Sequence, residues 1–326
     1  GKSKTLRLIS AQSLKKFGNI GALDKFDIMR YLFASIFFFT CLSTFFPQDF
    51  IQIGQDIVEE SAGESSMSVS LSSDGSIVAI GVKNNYGNGT DAGHVSIYEN
   101  KGGTWQQIGQ DIDGESAGEQ FGNQISLSSD GKTVAIGAVG NDESGYVSVY
   151  EFNGTSWNQI GRVFEGETDY GFSVSLSSDG KTVAIGAIQI HKVKGNAGYV
   201  RVYYFMRTGW IKIGQDIVGE GDDNQSGFSV SLSSDGKTVA IGAFRFDGTG
   251  DRLRVYKLNG SSWDQIGQDI VPGTYTDGSI ILSSDGKTVA IGGPKFGALG
   301  RVRVYKLNGT NWDQIGQDLK FKSIYS

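Results

Sequence analysis

Residues 228–242 read FSVSLSSDGKTVAIG, and their punctuation decides the fold. Two runs of alternating apolar and small polar side chains flank Asp235-Gly236. Alternation marks a strand with one buried face. Asp-Gly between two such runs marks a tight hairpin, because both residues tolerate a positive φ. The run Arg252 to Leu258 (RLRVYKL) comes next, and Asn259-Gly260 turns the chain into Trp263 to Ile270 (WDQIGQDI). The unit is therefore four antiparallel strands in about 52 residues, lettered A (SVSLS), B (TVAIG), C (VRVY) and D (WxQIGxxI).

The unit repeats along most of the chain. The phrase SLSSDG places its Asp at Asp74, Asp130, Asp179, Asp235 and Asp285, the last copy reading ILSSDG. The phrase QIGQDI recurs around Gly54, Gly109, Gly161, Gly214, Gly267 and Gly316. Strand C ends at Tyr98, Tyr150, Tyr203, Tyr256 and Tyr305, and all five Trp residues fall on one repeat position, at 105, 157, 210, 263 and 312. A period near 50 with strand-like content predicts an all-β fold, a β-propeller of four-stranded antiparallel blades. Strands A and B carry small and aliphatic residues, whereas C and D carry the Tyr and Trp. A blade widens away from its axis, so A lies innermost. A residue repeated in every blade suits a repeated interface, so the Trp side chains are expected to pack between blades and not to form a ring of sugar platforms. Residues 50–57 add a sixth D copy to five ABC units. The count favours a closed five-bladed ring, with a piece of a larger propeller as the alternative.

Composition narrows the function. The 326 residues include 48 Gly but only 3 Pro, 2 His and 1 Cys, which excludes a disulfide scaffold and a Cys-based zinc site. The net charge of −6 hides an asymmetry: residues 1–30 are basic and the remainder strongly acidic. An acidic body repels phosphate backbones, so no nucleic-acid partner is expected. Residues 31–46 (YLFASIFFFTCLSTFF) carry no charge, follow a basic stretch and include the small-x-small pair Cys41 and Ser43. That order is the order of an export signal. The expected organisation is a basic stretch with a signal peptide or membrane anchor over 1–43 and a propeller over 44–326. The body is expected to be secreted or at the cell surface, with membrane attachment only through residues 31–46.

The sequence around GFSVSLSSDGKTVAIGA resembles the FG-GAP repeat of integrin-α-type β-propellers, and also long repeat proteins of algae and protists. The matching pieces are Phe121-Gly122, Gly171-Phe172 and Gly227-Phe228, then Gly137-Ala138, Gly186-Ala187, Gly242-Ala243 and Gly292-Gly293-Pro294. The resemblance implies a propeller with a binding or adhesive role. Many such repeats hold calcium in a DxDxDG loop between A and B. Here SSDG stands in that place with one carboxylate, and calcium needs six to eight oxygens. No cofactor and no metal site are therefore expected at these Asp residues.

Specificity is expected in the loops, since the strands hardly vary. The D-to-A and B-to-C loops share one face of a propeller and differ from blade to blade. Candidate ligand-face residues are Asp91, Glu115, Asn141, Asp142, Glu167, Asp169, Asp222, Asp223 and Asp247. Their acidity reads either as a face for cations or basic partners, or as solubilising charge, the second being favoured. Segments 84–91 and 141–143 offer oxygens for calcium without the spacing of an established loop. No catalytic residue is assigned: the inner strands offer Ser, Val and Leu where a glycosidase needs paired carboxylates. His94 and His191 are expected as solvated loop residues. Asn88, Asn153, Asn224, Asn259 and Asn308 match the glycosylation acceptor pattern, three of them inside C-to-D turns. The sequence therefore favours an exported non-enzymatic propeller that binds a glycan or extracellular protein. The alternatives are a secreted hydrolase of polysaccharide and a purely structural extracellular repeat.

Overall fold

The computed structural model describes residues 52–58, 68–84, 88–140, 145–165, 170–188, 197–207, 209–220, 225–243, 251–272, 279–295 and 298–320. The basic N-terminal stretch, the apolar segment 31–46 and the expected boundary between residues 43 and 44 lie outside them. Every element among the described residues is a strand, so none is a helix long and apolar enough to cross a membrane.

The strands form five antiparallel sheets, each running in chain order from A to D. Blade 1 holds β1 (Ser68–Leu71), β2 (Ile77–Val82), β3 (His94–Asn100), β4 (Trp105–Gln107) and β5 (Ile112–Asp113). Blade 2 holds β6 (Phe121–Leu127), β7 (Thr133–Ala138), β8 (Tyr146–Phe152) and β9 (Trp157–Glu165). Blade 3 holds β10 (Tyr170–Leu176), β11 (Thr182–Ala187), β12 (Tyr199–Met206), β13 (Gly209–Lys212) and β14 (Ile217–Val218). Blade 4 holds β15 (Ser226–Leu232), β16 (Thr238–Ala243), β17 (Arg252–Asn259) and β18 (Ser262–Gln265). Blade 5 holds β19 (Ile280–Leu282), β20 (Thr288–Lys295), β21 (Ala298–Asn308), β22 (Asn311–Gln314) and β23 (Leu319–Lys320). Strand D bends at its Gly and resumes as β5, β14 or β23 on the same C strand. The fold is a β-propeller of five blades.

The core is sliced between the blades. One cluster joins Ala79, Val95 and Ile97 of blade 1 to Phe121, Ile125 and Leu127 of blade 2. Equivalent clusters lie between blades 2 and 3, 3 and 4, and 4 and 5. Blades 2, 3 and 4 are thus buried on two faces, which suits the aliphatic content of strand B.

Serine ties the slices together. Ser70, Ser126, Ser175 and Ser231 each accept, through Oγ, the Leu N–H of the next blade's strand A, at 2.9–3.0 Å. The second Ser of each SSDG turn donates its backbone N–H to its counterpart one blade on: Ser73 to Ser129, Ser129 to Ser178, Ser178 to Ser234 and Ser234 to Ser284. A small hydroxyl is needed here because the innermost strands approach closely. Behind it, Gly122, Gly171 and Gly227 open strand A at positive φ, and their carbonyls lie against Gly81, Gly137 and Gly186 of the preceding blade. A Cβ on Gly186 would sit 2.1 Å from the Gly227 oxygen.

Among the described residues the last blade does not cover strand A of the first, although the strand count favoured closure. Val69 is 66% and Leu71 59% exposed, whereas the residues at their positions in the other four blades are 8% or less. The hairpin glycine Gly75 faces open space, while Gly131, Gly180, Gly236 and Gly286 lie against the blade before them. The sixth D copy supplies the reason. Ile53 and Gln55 already sit on Trp105, where the D strand of blade 5 would have to go.

Three substitutions test this account. Ser175→Ala leaves the Leu232 N–H without its acceptor and should cost about 1–3 kcal/mol in chemical denaturation. Gly186→Ala should cost more, since the backbone opposite cannot yield. Ile281 stands at the equivalent position in the last blade and is 67% exposed, so Ile281→Ser should leave the denaturation midpoint unchanged.

Candidate ligand-binding funnel

Residues from all five blades surround a cavity of about 330 Å³. It is lined by Lys83 of blade 1, Asn123 and Gln124 of blade 2, Phe172, Ser173 and Val174 of blade 3, Phe228, Ser229 and Val230 of blade 4, and Ser279 of blade 5. These residues begin strand A or follow strand B. The funnel therefore opens at the end of the blades from which the D-to-A and B-to-C loops leave.

The local backbone explains why Phe172 and Phe228 point there. Both follow a positive-φ glycine inside a bulge, between Tyr170 and Ser173 in β10 and between Ser226 and Ser229 in β15. The bulge resets the alternation and turns one aromatic ring toward the axis. The two half-buried rings lie 5.0 Å apart, tilted by 49°. Blade 2 places Asn123 at the same position, and Phe121 stands one step outside the bulge, at the position of Tyr170. Phe121-Gly122 is therefore not the counterpart of Gly171-Phe172. Phe121 is a buried residue of the interblade core, packed 6.2 Å from Tyr146. The funnel hydroxyls also hold the blades: Ser173 donates to the Gly227 carbonyl at 2.7 Å, and Ser229 accepts the Ile280 N–H at 3.1 Å.

Of the candidate ligand-face residues, Asp91 and Glu115 are described, and Asn141, Asp142, Glu167, Asp169, Asp222, Asp223 and Asp247 lie outside the described residues. Asp91 sits at positive φ in the B-to-C loop of blade 1. Glu115 belongs to the D-to-A loop that pairs with that loop: Gly114 N–H donates to the Gly93 carbonyl and Gly118 N–H to the Thr90 carbonyl. The structure thus brings the loops of Asp91 and Glu115 into one hydrogen-bonded unit. Other loop acids do structural work. Glu119 accepts the Tyr146 hydroxyl at 2.6 Å and the Glu115 N–H at 2.8 Å. Glu220 accepts Arg254 of the next blade at 2.7 Å.

That arginine belongs to a series. Arg201, Arg254 and Arg303 on strand C meet Asp216, Asp269 and Asp318 of the QIGQD phrase at 2.8–3.0 Å, and blade 1 places Ser96 against Asp111. The Arg254 guanidinium holds the Asp269 carboxyl below its ordinary range, and Arg303 does the same for Asp318.

Each SSDG turn uses its Asp within the turn itself. In every turn Oδ1 of the Asp accepts the first Ser hydroxyl and the backbone N–H two residues on, as Asp74 does from Ser72 at 2.7 Å and Ser76 at 2.9 Å. A lone carboxylate already facing hydrogen-bond donors does not fit a calcium ion. Among the described residues no three His, Cys, Asp or Glu side chains converge into a metal-binding group. His94, expected as a solvated loop residue, opens β3 and is buried, because its B-to-C loop ends earlier, at Gly93; His191 lies outside the described residues. The Trp series packs between blades: the indole N–H of Trp105, Trp157, Trp263 and Trp312 donates to the carbonyl of Ile53, Ile108, Ile213 and Ile266, one D phrase earlier. The Asn259 and Asn308 amides bond Asp264 and Asp313 within their turns, as the turn chemistry of Asn-Gly requires.

The SSDG carboxylates set a pH dependence. The Ser76 N–H and the Ser72 and Ser76 hydroxyls hold Asp74 down at about 2. Ser283 and the Lys287 N–H lower Asp285. A carboxyl depressed by folding stabilises fully above its unfolded value, near 4, and loses that contribution as pH falls through the folded value. The thermal midpoint should therefore drop between about pH 4 and about pH 2, and Asp74→Asn should flatten that segment of the profile.

No family model matches the sequence, and no curated protein matches it. Solved structures do. TolB from Acinetobacter baumannii is similar at 15% identity over 79% of this chain and 55% of that one, with a TM-score of 0.48. The periplasmic gluconolactonase of Pseudomonas aeruginosa is similar at 14% identity over 78% of this chain and 85% of that one, with a TM-score of 0.47. The chain spans about half the length of the TolB chain it matches.

Proposed function

We propose that this chain is an exported, non-enzymatic propeller module that binds a glycan or an extracellular protein at the face carrying the D-to-A and B-to-C loops. The observation that carries the reading is the lining of the funnel. Two aromatic rings, Phe172 and Phe228, share the funnel lining with the amides of Asn123 and Gln124 and the cation Lys83. Apolar surface with a few convergent hydrogen-bonding groups is the general make-up of a small-ligand site. Aromatic faces together with side-chain amides suit the apolar faces and hydroxyls of a sugar. Hydrolysis of a glycosidic bond needs two carboxylates about 5–10 Å apart, and none is found among the described residues that line the funnel. The resemblance to integrin-α-type repeats supports a role in adhesion, and the basic-apolar-small order of residues 1–43 supports export.

A glycan array, run with and without calcium, supplies the first test. The double variant Phe172→Ala/Phe228→Ala should weaken any hit by about tenfold or more, with unchanged circular dichroism. An unchanged affinity removes the funnel from the reading. Release of reducing ends from the bound polysaccharide replaces it with the hydrolase.

A further inference from the structure

The two ends of the blade array are the two halves of an interface that the chain makes four times within itself. Blade 1 exposes Val69 and Leu71, the face that strand A of the other blades buries against its predecessor. Blade 5 exposes Ile281 and presents an unfilled tryptophan socket. The socket is recognisable from its copies. In four of the other five D phrases the Ile carbonyl accepts an indole N–H, Gly lies under the indole ring, and Gln pairs with the Trp backbone, as Ile108, Gly109 and Gln110 do with Trp157. At the end of the array the same phrase is Ile315-Gly316-Gln317, and a Cβ built on Gly316 meets no atom within 4 Å.

We propose that copies of this chain associate head to tail, the blade 5 face of one seating on the blade 1 face of the next. A second copy is the occupant because the two exposed faces are the two sides of the one interface that the chain already forms between its own blades. The socket phrase is also matched residue for residue. Residues 52–56 and 314–318 both read QIGQD, and Ile53 and Gln55 now hold Trp105. The incoming tail exchanges one copy of that phrase for an identical one on the same indole, so the bonds broken equal the bonds formed. Segment 53–57 is then a placeholder that covers Trp105 until a neighbour arrives. Such a contact is heterologous, with different surfaces on the two partners, and it propagates unless it closes into a ring.

The test uses the full chain and two blocked variants. Val69→Arg/Leu71→Arg blocks the head and Ile281→Arg blocks the tail; all three positions are exposed, so both variants should keep the wild-type circular dichroism. In analytical ultracentrifugation at micromolar concentration the wild type should exceed its monomer mass and each variant should be monomeric. An equal mixture of the two should form a dimer and nothing larger, since one free head meets one free tail. A monomeric wild type overturns the proposal. So does a mixture that stays monomeric, or a blocked variant that still assembles; the last outcome points to another surface.

Discussion

The contact between one blade and the next is the constraint on which the rest of this molecule depends. A single sheet of about four short strands cannot bury both faces by itself. Each blade is completed by a neighbour, and strand A carries the terms of that contact. Its Leu enters the shared core, its Ser hydroxyl takes the neighbour's backbone N–H, and its glycine bulge allows the carbonyls to approach. A larger side chain at the Ser would hold the blades apart. A smaller one would leave an amide without a partner.

The same constraint explains how the molecule separates stability from recognition. The turns SSDG and LNG are nearly uniform, and the first of them continues the backbone ladder from Ser73 to Ser284 across all five blades. At the opposite end the chain varies its loops around the funnel. The acids of those loops divide accordingly. Glu119 and Glu220 tie neighbouring blades, while Asp91 and Glu115 sit in paired loops at the surface.

Much of this was legible in the sequence because repetition turns one local signal into five. Asp235-Gly236 between alternating runs predicts a hairpin, and its four counterparts all form it. The single Trp position likewise predicts a repeated interface. Four features were not legible. Closure depends on how the last unit meets the first, and identical phrases at 52–56 and 314–318 do not say which holds Trp105. Phe121-Gly122 looks like Gly171-Phe172 in sequence, but a two-residue offset across a bulge sends one ring to the core and the other to the funnel. His94 lies at a loop boundary, where one residue decides between solvent and a buried strand. The funnel itself is built from five distant stretches, and no local pattern announces it.

The sliced core has a consequence for how the molecule opens. Blades 2, 3 and 4 are held on both sides, and blade 5 on one. In a linear array of coupled units, a terminal unit is released by breaking one interface and an inner unit only by breaking two. Amide hydrogens of β20 and β21 should therefore exchange with deuterium sooner than those of β11 and β12. Opening would advance inward from the ends like the fraying of a rope, and the Phe172–Phe228 pair would be among the last places reached.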